Sequence, residues 1–327
     1  MSKIALIIGA NGQDASYLAE FLIEKGYIVH GTIRRNSVPE YQTSRIDQLR
    51  ENGSITLHYM DLTDTISVDT IISKVQADEV YHLAAQSHVQ ISFDLPKYTL
   101  DVNSGGTLAV LEAVRRCSAH SKVYHAATSE MFGNACDSDG YQRETTEMKP
   151  VSPYGCSKLY AHALCNNYRN AYGMFVCSGI LFNHESPRRG INFVTNKVAL
   201  QAARIKLGLA KELVMGNLEA KRDWGHAKDY VEGMWLMLQQ ENAADFVLAT
   251  GETRSVKEMT KFVFDYLDLD WKDYVKTNEK YTRPEELHYL KGDSTKARTV
   301  LGFAPKIEFE SMMKEMVDYW LSVLRNN

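Results

Sequence analysis

Residues 1–182 alternate short apolar-rich runs with longer stretches in which apolar side chains recur every three or four positions. The runs fall at residues 3–8, 27–33, 55–60, 79–83, 122–127 and 175–181. Near-continuous apolar character over this length is what a strand buried on both faces shows, as in a parallel sheet covered by helices. Residues 16–25 follow the first run as a helix, with Leu18, Phe21 and Leu22 on one stripe and Gly26 as its stop. Repeated strand–helix alternation predicts an α/β chain built on a doubly wound parallel sheet. Beyond residue 182 the pattern loosens into a turn at 187–190, a helix over 192–205 with Val194, Val198 and Ala202 inward, and shorter pieces. We read 1–182, joined by some later segments, as the sheet domain and 183–327 as a smaller mixed α/β lobe. The methionines at 234, 237, 312, 313 and 316, with Trp235, Leu238 and Trp320, stand at helical spacing and read as core stripes.

The first strand ends in Gly9-Ala10-Asn11-Gly12-Gln13-Asp14-Ala15. A glycine turn between a strand and a helix lets backbone approach a pyrophosphate, and the helix start offers unpaired N–H groups and positive dipole to it. The fold expected is therefore Rossmann-type, although a plain strand-to-helix turn has the same outline. The spacing is GxxGxxA, and the third position needs only a small side chain. At the end of the second strand, where an acidic residue would meet a free ribose 2′-hydroxyl, stand Arg34 and Arg35. Guanidinium groups suit a 2′-phosphate, so NADP is expected over NAD; a solvated arginine pair is the alternative. Later strand ends add Asp61 and Leu62, whose carboxylate suits an adenine amine, then Leu83, Ala84, Ala85 and Ser87, where a cofactor would lie on backbone. In such sheets ligands sit beyond the carboxyl ends of the strands, where all these residues fall.

Tyr154 and Lys158, four apart, share one face of a helix. An ammonium beside a phenol favours the phenolate, which makes the pair a usable base. Thr128 and Glu130, two apart at a strand end, point to one side and supply a hydroxyl and a carboxylate acid/base. Alone, each pair is equally an exposed tyrosine with a solvated lysine, or a capping glutamate. Their company with the glycine turn favours chemistry.

Composition narrows the field. Lys+Arg number 37 against 41 Asp+Glu, a formal charge of −4, so nucleic acid and anionic membranes are not the expected partners. No stretch is long and apolar enough for a bilayer, and the expectation is a cytoplasmic protein. Five cysteines without CxxC or finger spacing read as free buried thiols, Cys156 among them as a packing residue. His88, His184 and His226 match no metal-ligand pattern, and no metal is expected.

The stretches GANGQDASYLAEFLIEKGY, HGTIRR, HLAAQSHV, TSEMFG, SPYGCSK, FNHESPRRGINFVTNKV, KRDWGHAKDYVEGMWLMLQ and YTRPEELHYLKGD carry a resemblance over almost the whole chain. Together they resemble the extended short-chain dehydrogenases/reductases and, within them, the GDP-mannose 4,6-dehydratase group of nucleotide-sugar dehydratases. Ser129 is the residue that group shows, where dehydratases of dTDP-glucose carry Asp. Ala15 and the loop at 36–41 depart from the pattern; in the resembled enzymes that loop reaches a neighbouring subunit's cofactor region.

The resemblance implies a lyase using NADP and a GDP-sugar as a homodimer or homotetramer. Tyr154 would take the proton of the 4-hydroxyl as hydride leaves C4, with Lys158 lowering the Tyr154 pKa and Thr128 bonding the substrate oxygen. Glu130 would remove the C5 proton and pass it to the departing C6 hydroxyl, after which hydride returns to C6 and Tyr154 or Glu130 reprotonates C5. The cofactor contacts implied are Gly9, Asn11, Gly12, Gln13, Asp14, Arg34, Arg35, Asp61, Leu62, Leu83, Ala84, Ala85, Ser87, Tyr154, Lys158, His184 and Arg189. The substrate contacts implied are Ser87, Glu130, Asn183, Val194, Lys197, Gly216, Arg222, Arg283 and Glu286. Arg222 beside Asp223 equally reads as an exposed ion pair. A GDP-manno-heptose is the rival substrate, an epimerase or ketoreductase the rival activity, and a non-catalytic NADP-binding regulator a more distant alternative.

Overall fold

The computed structural model describes residues 2–35, 44–278 and 284–326. The loop singled out at 36–41 and Arg283 lie outside the described residues. The strands in chain order are β1 (Ile4–Ile8), β2 (Ile28–Ile33), β3 (Ile55–Tyr59), β4 (Glu79–His82), β5 (Lys122–Thr128), β6 (Val176–Leu181) and β7 (Asn183–Glu185). They continue with β8 (Leu213–Met215), β9 (Lys221–Arg222), β10 (Trp224–His226), β11 (Phe246–Leu248), β12 (Arg254–Ser255) and β13 (Val275–Thr277). Seven of them form one parallel sheet in the order β11-β6-β5-β4-β1-β2-β3. Strand order reverses between β1 and β4, and that switch point opens a crevice beyond the strand ends.

Helices cover both faces of the sheet, which is why its strands carry apolar residues without alternation. On one face Leu18, Leu22, Tyr81, Tyr124, Met234 and Phe246 share a core; on the other, Leu6, Ile8, Val68, Ile72, Val110 and Val176 do. Helix Ala227–Leu238 and β11 come from the second half of the chain yet complete this sheet and its first core. A third core gathers other second-half helices, with Val198, Ala202, Met259, Phe264, Met312 and Met316 at its centre, while Ala297 and Leu301 join the first core. Among the described residues, no helix is long and apolar enough to cross a membrane.

Three expectations need correction. The first helix runs Gln13–Glu24, starting earlier than residue 16, because Gly12 serves as N-cap and the polar Gln13 and Asp14 occupy the first turn, where a carboxylate meets the positive end of the dipole. Cys156 does not pack: it and Cys136 are exposed and only Cys165 and Cys177 are buried, all five being free. Being off the Tyr154/Lys158 face put Cys156 on the outward side of its helix. Asp223, half of an exposed pair only on the alternative reading of Arg222, is fully buried, which removes that alternative. Its carboxylate accepts from the backbone N–H of Thr250, Gly251 and Gly292 and from the Thr250 hydroxyl, and burial pushes its pKa up to about 6.

Candidate active site

One cleft of about 690 Å³ lies beyond the carboxyl ends of β1 to β6. Gly9, Asn11, Gly12, Gln13 and Asp14 line it from β1, Arg34 from β2, Asp61 and Leu62 from β3, and Leu83, Ala84, Ala85 and Ser87 from β4. Thr128, Glu130, Tyr154, Lys158, Asn183, His184 and Arg189 complete it. The fold thus brings together on one wall what the sequence holds up to 180 positions apart.

At the glycine turn, Gly9 has φ +90°, and a Cβ there would stand 2.9 Å from Ala84 Cα, so a side chain is excluded twice over. That is the close backbone cradle a pyrophosphate requires. Asp14 is anchored there by His184: Nε2 lies 2.8 Å from Asp14 and Nδ1 lies 2.7 Å from the Phe182 carbonyl oxygen. Burial lowers the His184 pKa, but the Asp14 carboxylate at Nε2 and the Phe182 carbonyl at Nδ1 favour the protonated ring, so the net shift is upward. Asn183 offers a buried Oδ1 with no hydrogen-bond partner among the described residues, aimed into the same cleft. Arg34 donates to the Tyr98 hydroxyl and lines the cleft. Arg35 does not: its guanidinium sits 5.5 Å from the ring centre of Tyr59, outside the cleft. Both arginines stand just past the end of β2, where the path of the loop sets each side chain's direction separately. Asp61 lines the cleft with one carboxylate oxygen already accepting from the N–H and hydroxyl of Thr63.

At the other end, β5 stops at Thr128, whose hydroxyl accepts from Glu130 N–H at 3.3 Å and caps the short 3₁₀ turn Ser129–Phe132. Gly133, at φ +56°, then turns the chain where a Cβ would collide with the Lys149 carbonyl. Helix Pro153–Tyr172 opens with Ser152 as cap and Pro153 at its first position. Its start is pinned from outside: Ser92 Oγ accepts from Tyr154 N–H, and Asn103 Nδ2 donates to Ser157 Oγ. Asn103 sits on a π-turn, Asp101–Gly105, a feature that sequence periodicity does not reveal.

Tyr154, Lys158, Thr128 and Glu130 are all buried. Burial pushes the Tyr154 hydroxyl up to about 12, opposed by a hydrogen bond with Thr128 and reinforced by the charge of Glu130. Burial also brings Lys158 down to about 8 while its ammonium donates to the Ala126 carbonyl at 2.9 Å. The expected lowering of Tyr154 by Lys158 is therefore not what the chain alone achieves: lost hydration outweighs the lowering by Thr128 and Arg189.

The remaining sugar-side expectations lie off the cleft wall. Val194 begins the helix that follows it, Lys197 donates to the Val214 carbonyl at 2.7 Å, and Gly216 follows β8. Arg222 is buried on β9 and donates to the Lys221 carbonyl, and Glu286 accepts from Asn134 through its backbone oxygen. Sequence reasoning missed His88, Tyr98 and Phe193 as cleft residues, whereas Gln86, which also lines the cleft, falls in the strand-end stretch it singled out. His88 packs on Phe193 at 5.5 Å, a contact between segments about 100 positions apart that no local pattern encodes, and Arg189, four residues before Phe193, stacks 3.6 Å above the same ring. Among the described residues, no group of three or more His, Cys, Asp or Glu could hold a metal ion.

A family described as GDP-mannose 4,6 dehydratase matches residues 6–316. GDP-mannose 4,6 dehydratase 2 of Arabidopsis thaliana is 52% identical, over 97% of this chain and 86% of its own. GDP-mannose 4,6 dehydratase of Homo sapiens is 47% identical, over 99% and 93%. In three dimensions the chain resembles RMD from Pseudomonas aeruginosa, solved in complex with NADPH, with a TM-score of 0.80 over 98% of this chain and 100% of that one at 22% identity. That likeness concerns the fold, whereas the sequence match, nearly end to end and close to half identical, extends to the catalytic cleft: the chain belongs to the GDP-mannose 4,6-dehydratase family and is a hydro-lyase.

Proposed function

We propose that the chain converts GDP-mannose to GDP-4-keto-6-deoxymannose with NADP as its cofactor. The observation that carries this reading is Glu130, buried in the wall that holds Thr128 and Tyr154 and close enough to raise the Tyr154 pKa. An epimerase or ketoreductase has no use for a second acid/base beside its tyrosine; a reaction that moves protons at both C4 and C5 does.

The cradle at Gly9, the helix start at Gly12 and the cleft running from Arg34 to Lys158 suit a dinucleotide. When bound, the dinucleotide would supply a hydride acceptor for C4 and a hydride donor for C6. Tyr154 takes the proton of the 4-hydroxyl, with the Thr128 hydroxyl bonding the same oxygen. Lys158 keeps its ammonium behind the phenolate. Glu130 removes the C5 proton, made acidic by the 4-ketone, and delivers it to the C6 hydroxyl, which leaves as water. Tyr154 then passes its proton to C5, so that both side chains end as they began. Phe193 and His88 close part of the cleft mouth and help keep water from the unsaturated intermediate.

Purified protein incubated with catalytic NADP⁺ and either GDP-mannose or a GDP-manno-heptose is followed by mass spectrometry. Loss of one water without NADPH build-up supports the reading and ranks the two sugars. NADPH accumulation without water loss would overturn it.

Arg34, the cleft-side arginine, is the residue expected to select NADP. Arg34→Ala should weaken NADP by about 10- to 100-fold, as for loss of a charged hydrogen bond, and NAD far less. Arg35→Ala should leave both nearly unchanged. Titration of the two cofactors against each variant checks this, and equal losses for NADP and NAD would remove the NADP assignment.

A further inference from the structure

Helix Pro153–Tyr172 carries a polar stripe of which the reaction above uses only the first two members. Tyr154, Lys158, His162 and Asn166 follow at four-residue spacing, with Arg169 three further on, so they descend one face of the helix. The first three are 8% exposed or less, although a helix face against a sheet is ordinarily apolar. Across from the stripe, His82 on β4 and His125 on β5 stand in register with ring centroids 5.5 Å apart. Both rings are fully buried and neutral: burial lowers their pKa first, and the charge of Lys158 lowers it further. His125 also feels His82 and His162, which makes it the hub of the group.

Hydrogen bonding at this group is incomplete. His82 Nε2 meets the Thr107 hydroxyl at 3.0 Å. His82 Nδ1, both nitrogens of His125 and Nδ1 of His162 have no partner among the described residues. Unpaired buried polar atoms are costly, so four in one place point to ordered water, which polar interior spaces take up. At the outer end, His162 Nε2 lies 3.3 Å from Asn166 Nδ2 and 3.9 Å from Asp245, and Asp245 pairs with the partly exposed Arg169.

We propose that His82, His125 and His162, bridged by ordered water, form a proton path from Lys158 Nζ to the surface at Asp245. Its use rests on the reading that a Tyr154 phenolate starts the reaction. With substrate in the cleft, the buried Tyr154 hydroxyl is cut off from solvent on the cleft side. The Lys158 ammonium releases one proton into the path, and one proton leaves at the Asp245 end. The resulting amine takes the proton of the Tyr154 hydroxyl: one O–H bond breaks, one N–H bond forms, and phenolate and ammonium stand side by side with one proton lost to water. The other titratable groups facing Lys158 or Tyr154 do not carry this proton. Cys165, whose pKa burial pushes up to about 12, stays a thiol, while Glu130, Arg189 and Asp14 act from the cleft side.

The test is a pH jump on the holoenzyme. Enzyme with NADP⁺ and GDP-mannose is held in acid, then mixed into alkaline buffer while product formation is followed. Wild type should begin without delay. His125→Phe and His162→Phe, which keep bulk and remove the nitrogens, should lengthen the lag at least about tenfold, as loss of a proton-transfer group does, with KM unchanged. His125→Gln and His162→Gln, which keep atoms that hold water, should shorten it again. Phe variants that start as fast as wild type, or Gln variants that lag as long as Phe variants, overturn the path. Should the His125 variants not fold, the His162 pair decides. A wild-type enzyme forming no dehydrated product would instead count against the proposed reaction, so the two failures are distinct.

Discussion

Tyr154→Phe should lower turnover of GDP-mannose by about 10²- to 10⁴-fold, the range for loss of a positioned acid/base, while binding of the nucleotide sugar persists. The change deletes one oxygen from a ring that stays packed at the start of its helix, so cleft shape and fold are retained. Among the described cleft residues, Glu130 is the other candidate acid/base in this wall, and it is committed to C5 and C6. The loss should therefore fall on kcat and not on KM, as expected when an interaction acts on the transition state alone. Steady-state kinetics separate the two constants. Residual turnover within about tenfold of wild type would mean that another group takes the 4-hydroxyl proton.

Glu130→Gln should stop the reaction at a different point. The amide is close in size but neither removes the C5 proton nor donates one to the departing hydroxyl. Oxidation at C4 should continue and water loss should fall by about 10²- to 10⁴-fold. Reduced cofactor would then accumulate up to one equivalent per site, visible in its absorbance, with the 4-keto sugar retaining its C6 hydroxyl in the mass spectrum. Wild type should show neither. Unchanged water loss in the variant would take the elimination away from Glu130. The two variants together separate the first proton transfer from the second, since only the glutamine enzyme should trap reduced cofactor.

Much of this cleft was legible in the chain because a doubly wound sheet places every strand end on one edge. Once six apolar runs were recognised, the residues after each became neighbours, and nineteen named positions from Gly9 to Arg189 line one cleft. Arg35 shows where that reasoning stops. It adjoins Arg34 just past the end of β2, but it packs against Tyr59 instead of the cleft. Val194, Lys197, Gly216, Arg222 and Glu286 show the same limit in the second half, where strands of two or three residues carry no periodic pattern long enough to fix direction.

By itself the sequence determined the layer order of the fold, the glycine turn, the Tyr154/Lys158 pair and the Thr128/Glu130 pair. Each depends on chain neighbours or on a period of two or 3.6 residues, which local geometry dictates. Tertiary structure alone decided which arginine faces the cleft, that Asp223 is a buried anchor, that Phe193 meets His88, and that His82, His125 and His162 gather behind Lys158. It also decided the sign of the Tyr154 shift, since hydration lost on burial depends on everything packed around the hydroxyl and not on the residue four places away.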